Sequence, residues 1–298
     1  MSVLTLQNIA KSYGKIQALK GVSFNVPEGS VFGILGPNGS GKTTLLSIIL
    51  DVLKADKGNF LWFNNPSSPA QRKQIGSLLE TPNFYHYLNA INNLKITHSI
   101  SHRGNETDGI DDVLHKVNLF ERRKSRFSTY SLGMKQRLAI GAALLGSPKV
   151  LVLDEPTNGL DPVGIAEIRE LIKDLNRKGH TIIMASHLLD EVEKVCTHVA
   201  ILKKGDLITS GAVDEVLIDE DIVEVGSADM TLLKNTLQQY TGVIKLQEEN
   251  NLLQIIFPKG TAQLEAINQH CFNKGIVLQH LLLKKKRLEA RFFELTNN

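Results

Sequence analysis

The sequence predicts an α/β chain in two parts: a parallel sheet covered by helices, then a small α+β unit. Three observations carry this. A glycine-rich run, Gly36-Pro37-Asn38-Gly39-Ser40-Gly41-Lys42-Thr43-Thr44, joins the apolar residues 31–35 to a helix-like stretch over 44–50. Three further short apolar runs, 150–153, 181–185 and 199–202, alternate with helical patterns, which is how strands buried on both faces read. After about residue 218 the order becomes strand, helix, strand, strand, helix, strand, the ferredoxin-like arrangement.

Composition narrows the class. The chain has 298 residues, 42% of them hydrophobic and 22% charged, as in an ordinary globular protein. A net charge of +3 is too small to imply a nucleic-acid partner. Cys196 and Cys271 are far apart, without metal-ligand spacing, and suggest buried thiols in a reducing compartment. The first seven residues alternate like a strand and lack the basic and apolar regions of a signal peptide. No apolar run approaches the ~18 residues that span a bilayer. If the protein works at a membrane, another polypeptide supplies the span.

Residues 1–30 read as a β-region, with alternation over 22–26 and a turn at Pro27-Glu28-Gly29. A strand over 60–63 ends in the turn-rich Asn64-Asn65-Pro66-Ser67-Ser68-Pro69. The stretch 85–130 is more polar and helical, with a loop over 102–109. Residues 165–178 form an amphipathic helix and 188–195 a shorter one. In the last part, strands over 222–225, 243–247, 252–257 and 276–283 enclose helices over 231–240 and 262–273. A final helix over 287–295 carries Leu288, Phe292 and Leu295 at i, i+4, i+7, a stripe suited to docking on the small unit. The expected domains are 1–218, with a helical subdomain at about 81–130, and 219–298.

Two motifs carry chemistry. Gly36 to Thr43 fits G-x-x-x-x-G-K-[ST], in which glycines let backbone N–H groups point at phosphate oxygens. The strand before it and helix after it put a triphosphate at a helix N-terminus, where unpaired N–H groups and the dipole favour negative charge. Lys42 reaches the β- and γ-phosphates and Thr43 holds Mg²⁺ in such a site. In the second motif, Asp154 and Glu155 end the apolar run 150–153, and ligands gather at that end of parallel strands. Asp154 is suited to Mg²⁺ and Glu155 to polarising a water that attacks the γ-phosphate.

Further along lie Tyr130-Ser131-Leu132-Gly133-Met134-Lys135-Gln136-Arg137, then Gly159-Leu160-Asp161, then His187. With these in order the chain resembles the ATP-binding cassette (ABC) ATPases, specifically their transporter subunits, over about residues 3–215. The resemblance implies the P-loop ABC fold: a parallel sheet core, an N-terminal antiparallel β-region and a helical subdomain. It implies that Tyr13 stacks on adenine and that Gly36, Pro37, Asn38, Gly39, Ser40, Gly41, Lys42, Thr43 and Thr44 hold the phosphates. Ser131 and Gly133 would cap the γ-phosphate of a second ATPase subunit, Gly159 to Asp161 would communicate across the dimer, and His187 would contact the γ-phosphate. ATP and Mg²⁺ are the implied cofactors. Transmembrane permease subunits and a second cassette are the implied partners, on the cytoplasmic face of the membrane.

Two departures from the family pattern stand out. Leu132 replaces a common glycine, and Glu80 stands where a glutamine usually touches Mg²⁺ and the attacking water. Glutamate keeps an oxygen ligand, so hydrolysis is expected to survive. Both departures, and the run Glu80-Thr81-Pro82-Asn83-Phe84-Tyr85, resemble the bacitracin-resistance and lantibiotic-immunity exporters. The surface near Asn83-Phe84-Tyr85 is where such ATPases receive the coupling helix of the membrane subunit; the alternative is that these aromatics pack within the helical subdomain. The basic run 284–287 reads as a solvated turn or as a contact with anionic headgroups. The rival functions are a non-transport ABC ATPase of translation or repair, and a regulator that binds ATP without turnover. One cassette per chain and the short interval from Lys42 to Ser131 oppose the first; Glu155 and His187 oppose the second.

Overall fold

The structure is a computed structural model that describes residues 1–79, 83–101, 103, 109–217, 220–249, 251–258 and 260–284. The chain divides into two compact units, Met1–Val213 and Asp214–Asn298.

In the first unit, β1 (Ser2–Tyr13) and β2 (Ile16–Pro27) form a long antiparallel hairpin, extended on the other side of β1 by β4 (Lys57–Trp62) and β5 (Asn65–Pro66). The strands β3 (Val31–Leu35), β6 (Ile75–Leu78), β7 (Val150–Asp154), β8 (Thr181–Ser186), β9 (His198–Lys203) and β10 (Asp206–Ala212) make the main sheet. Its order is β10-β9-β3-β8-β7-β6, parallel except for β10. Every residue of β3, β7 and β8 is buried, so these strands lack the alternation of a half-exposed sheet. Helices α1 (Lys42–Ile49), α6 (Pro162–Arg177) and α7 (Leu189–Val195) follow strands, as parallel crossovers require. Helix α6 shows the amphipathic stripe most plainly. Ile168, Leu171, Ile172 and Leu175 face inward, Asp161 caps its N-terminus by accepting from Gly164 N at 2.9 Å, and Pro162 follows the cap.

The core of this unit joins the two sheets through α1. Trp62 is fully buried, and its indole N–H donates to the carbonyl of Ile49, the last residue of α1, at 2.8 Å. Phe24 of β2 stacks on Phe32 of β3 with centroids 5.1 Å apart. The helices of the intervening region are α3 (Ala90–Ser101), α4 (Ile110–Lys116) and α5 (Leu132–Leu144), with short α2 (Pro69–Arg72) ahead of them. Gly141 brings α4 close, since a Cβ there would lie 3.1 Å from Val113.

The short edge strand β6 carried no clear signal in the sequence. Gly76 and Ser77 interrupt its apolar pattern, yet the glycine is required: a Cβ at Gly76 would meet the Ala143 carbonyl at 2.0 Å. Strand β10 reads as a mixed polar segment because it caps the opposite edge, antiparallel to β9.

After α8 (Val213–Leu217), the second unit contains β11 (Glu220–Ser227), α9 (Met230–Leu237), β12 (Lys245–Glu249), β13 (Leu252–Pro258), α10 (Leu264–Asn273) and β14 (Leu278–Lys284). The sheet order β12-β13-β11-β14 is antiparallel throughout, the expected βαββαβ arrangement. Val223, Val225, Leu253, Ile255 and Phe257 pack one sheet face onto Leu233, Leu237, Ile267 and Cys271 of the helices. The helix read over 287–295 lies outside the described residues, as do residues 285–287 of the basic run. Both cysteines are buried free thiols, and burial pushes their ionisation up. Among the described residues no helix is long and apolar enough to cross a membrane.

The Trp62–Ile49 bond predicts the effect of Trp62→Phe. The substitution strands a buried carbonyl, at about 1–3 kcal/mol, and leaves part of the indole volume empty. The denaturant midpoint of the first unit, followed by circular dichroism, should fall; an unchanged midpoint would show that this bond does not join the two sheets.

Candidate active site

The parallel register sets the site. Leu35 of β3 pairs with Ser186 of β8, and Asp154 of β7 pairs with Ala185 of β8. The carboxyl ends of three adjacent strands therefore form one row. From that row leave the glycine-rich loop, the Asp154-Glu155 pair and His187.

The loop is shaped by close backbone approach. A Cβ at Gly36 would lie 2.4 Å from the Leu202 carbonyl, and Gly41 adopts φ +106° with the Ala18 carbonyl 2.6 Å from where its Cβ would be. A side chain at either position would push the loop off β9 or β2. Gly205 N donates to Ser40 O at 3.1 Å and holds the loop from the β9–β10 turn. Lys42 opens α1 and is buried. Its ammonium donates to Gly36 O at 2.8 Å and Pro37 O at 3.4 Å, and lies 3.6 Å from Glu155 Oε1. Ser40 Oγ is buried with no hydrogen-bond partner among the described residues. A buried ammonium, an unsatisfied hydroxyl and a helix N-terminus in one loop fit a polyphosphate.

Glu155 has φ +47°, rare for a residue with a Cβ. Its N–H still continues the ladder to Ala185 O at 3.0 Å, and its carbonyl accepts from Asn158 N at 3.1 Å. The strand thus ends in a sharp turn. The carboxylate lies between Lys42 and His187, whose Nδ1 is 2.8 Å from Glu155 Oε2. Asp154 is buried at the tip of β7, and Thr43 is exposed in the first turn of α1. Both offer hard oxygen donors suited to Mg²⁺, which needs only one or two carboxylates beside phosphate oxygens. Among the described residues no three acidic, His or Cys side chains converge as a metal cage. Glu80 lies outside the described residues.

The remaining expected site residues lie elsewhere on the first unit. Tyr13 is half-exposed at the tip of the β1–β2 hairpin, with the Lys11 ammonium 5.9 Å from its ring centre. That hairpin passes the phosphate loop at Ala18. Ser131 is the N-cap of α5, accepting from Met134 N at 3.3 Å. Tyr130 anchors the cap from behind. It is buried, its hydroxyl donates to Arg122 O at 2.8 Å, and burial pushes its ionisation up. Lys42, Glu155 and His187 therefore meet directly, whereas Ser131 accepts from Met134 N and Lys135 N of its own helix. Sequence reasoning missed Thr157, whose buried Oγ1 has no hydrogen-bond partner among the described residues. A lone threonine after an acidic pair offered no signal.

The family profile described as ABC transporter matches residues 19–158. The chain is 38% identical to the uncharacterised ABC transporter ATP-binding protein YhcH of Bacillus subtilis, over 99% of this chain and 96% of that protein. It is 40% identical to the lantibiotic transport ATP-binding protein SrtF of Streptococcus pyogenes, over 69% and 89%. It is 36% identical to the bacitracin transport ATP-binding protein BcrA of Enterococcus faecalis, over 72% and 70%. Among solved structures it resembles the ADP conformation of the cassette MJ1267 (TM-score 0.66, 29% identity, 72% of this chain and 92% of that one). It also resembles the dimeric post-hydrolysis state of the cassette MJ0796 bound to ADP and Pi (TM-score 0.61, 28% identity, 70% and 98%). The chain belongs to the ABC transporter ATP-binding family, in which ATP hydrolysis is general.

Replacing Lys42 tests the phosphate site. Lys42→Ala should weaken binding of a fluorescent ATP analogue by roughly 10- to 100-fold, the loss expected for hydrogen bonds to a charged group, with an unchanged circular dichroism spectrum. Retained affinity would remove Lys42 from the site.

Proposed function

We propose that the chain is the Mg²⁺-dependent ATPase subunit of an exporter. It would act as a pair of cassettes on the cytoplasmic face of the membrane and drive separate permease subunits. The observation that carries this is the meeting of Lys42, Glu155 and His187 at the carboxyl ends of β3, β7 and β8. The export direction rests on the lantibiotic and bacitracin transport relatives.

The roles follow from chemistry. A Mg²⁺ ion held by Thr43 and Asp154, with Glu80 as a further oxygen, would neutralise charge on the β- and γ-phosphates. The loop 36–44 and Lys42 bind the phosphates, and Tyr13 stacks on the base. Glu155 accepts the proton of the attacking water. His187, bonded to Glu155 at 2.8 Å, orients that carboxylate through Nδ1–H; only with both ring nitrogens protonated does it also donate to the γ-phosphate from Nε2. Ser131 and Gly133 act on the nucleotide of the facing cassette through the α5 N-terminus. ATP then joins two subunits, and hydrolysis releases them, as a rigid-body cycle.

Coupling to the membrane is assigned to a groove of about 370 Å³ along α3, lined in part by Tyr85, Ile96 and Ile100. Asn93 is buried and clamps the preceding loop, accepting from Tyr85 N at 2.8 Å and donating to Tyr85 O at 3.1 Å. The aromatics divide their labour. Phe84 packs edge-on against buried Phe127 at 5.1 Å, whereas Tyr85, Tyr87 and Ile100 remain exposed. Exposed apolar side chains on a fixed groove suit an amphipathic helix.

Glu155→Gln should bind ATP and dimerise, with phosphate release slowed about 10²-fold or more, the usual contribution of a general base; near wild-type turnover would exclude Glu155 from that role. Tyr85→Ala with Ile100→Ala should leave basal ATPase intact in the isolated subunit and lower substrate efflux in reconstituted transporter vesicles. Undiminished efflux would move the coupling contact elsewhere.

A further inference from the structure

Leu132 is the residue by which this chain departs from the common glycine of the signature, and it has a defined contact. Its Cδ2 lies 3.4 Å from the point a Cβ of Gly159 would occupy. Gly159 is in the left-handed conformation at φ +73°, in the loop that runs from Glu155 to the Asp161 cap of α6. Beside it, a Cβ on Gly133 would lie 4.0 Å from the Cα of Gly164. A Cβ on Gly164 would lie 2.9 Å from the Asp161 Oδ1 that its N–H bonds, so a side chain there would make the cap shift. One turn further on, Arg137 Nη2 lies 3.5 Å from Glu167 Oε2. The N-terminal halves of α5 and α6 thus lie side by side, linked by the Arg137–Glu167 ion pair and by the Leu132 side chain against Gly159. Leu132 is still 49% exposed and Val163 67%.

We propose that Leu132 is a positioning residue that locks the signature segment to the loop following the catalytic carboxylate. The inference rests on the proposed paired-cassette mechanism. In that mechanism Ser131 and Gly133 engage the partner's nucleotide, while Glu155 serves the chain's own. Glu155 lies four residues before Gly159, within a turn closed by Asn158 N to Glu155 O and Leu160 N to Thr157 O. A side chain that packs the signature onto Gly159 therefore links occupancy of one site to the position of the base in the other. A glycine at 132 has no atoms with which to make this contact. Leucine also favours the first turn of α5 over glycine, so Ala and Met, rather than Gly, separate contact from helix propensity.

The test uses the full chain. Leu132→Ala should lower kcat about tenfold, equivalent to about 1.4 kcal/mol in the barrier. Leu132→Met, which can reach Gly159, should recover turnover to within about twofold of wild type by the same conversion. Affinity of a fluorescent ATP analogue for dilute monomer should be unchanged in both. Wild-type turnover in Leu132→Ala, absence of rescue by Met, or a loss of monomer affinity parallel to the loss of kcat would overturn the proposal. Sedimentation of Glu155→Gln with ATP checks the premise separately. If that variant does not dimerise, the paired-cassette reading falls and the proposal with it; if it dimerises while Leu132→Ala turns over normally, only the proposal falls.

Discussion

The parallel register of β3, β8 and β7 is the constraint on which the site depends. Leu35, Ser186 and Asp154 end neighbouring strands at the same level. Three loops from distant parts of the sequence are thereby delivered to one place without long excursions. A one-residue slip of β7 against β8 would turn Asp154 to the opposite sheet face. It would also break the Glu155 N–H to Ala185 bond that begins the turn. The fully buried strands make such a slip expensive, because every side chain of β7 and β8 is committed to the core on one face or the other.

On that frame sits a small charged cluster in which each member limits the others. The Lys42 ammonium, 6% exposed, would be costly to bury alone. Two backbone carbonyls and the Glu155 carboxylate satisfy it. A phosphate group would compete for the same donor with a higher charge density, and the carboxylate of Glu155 would then be released from Lys42 while keeping His187. The strain of a left-handed glutamate fits this arrangement, since it fixes the carboxylate by backbone geometry rather than by the ion pair alone.

Much of this was legible in the sequence because it is local. The continuous apolar runs gave β3, β7, β8 and β9, and the spacing of Gly36, Gly41 and Lys42 gave the loop proposed to hold phosphate. Asp154-Glu155 announced a strand tip because two carboxylates directly follow four apolar residues. Strand β6 was not legible: Gly76 is dictated by the Ala143 carbonyl, a tertiary contact that leaves no period behind. In the second unit the element order could be read from sequence, but the neighbours in the sheet required the structure. The division between Phe84 and Tyr85 also depended on Phe127, over forty residues away by number, and no pattern near Phe84 encodes it.

Helix α5 connects these features mechanically. Its thirteen residues span roughly 20 Å. At its N-terminus the signature rests on the loop beyond Glu155 through Leu132. In its last third, Gly141 seats against Val113 of α4 and Val117 just beyond it. Near its C-terminus the Ala143 carbonyl sits over Gly76 of β6. The approaches at Gly141 and Gly76 leave no room for a side chain without a shift, so this end of the helix is closely seated. A helix held this way moves with its subdomain rather than bending within it. The same subdomain carries α3 and its exposed groove, since α3 also packs on α5. In the proposed mechanism, closure of the signature on a nucleotide and displacement of the groove would be two readouts of one rigid motion. Physical continuity of this kind does not need a chain of individually coupled residues; it needs only that α5 stays packed on α3 and α4 while the subdomain turns.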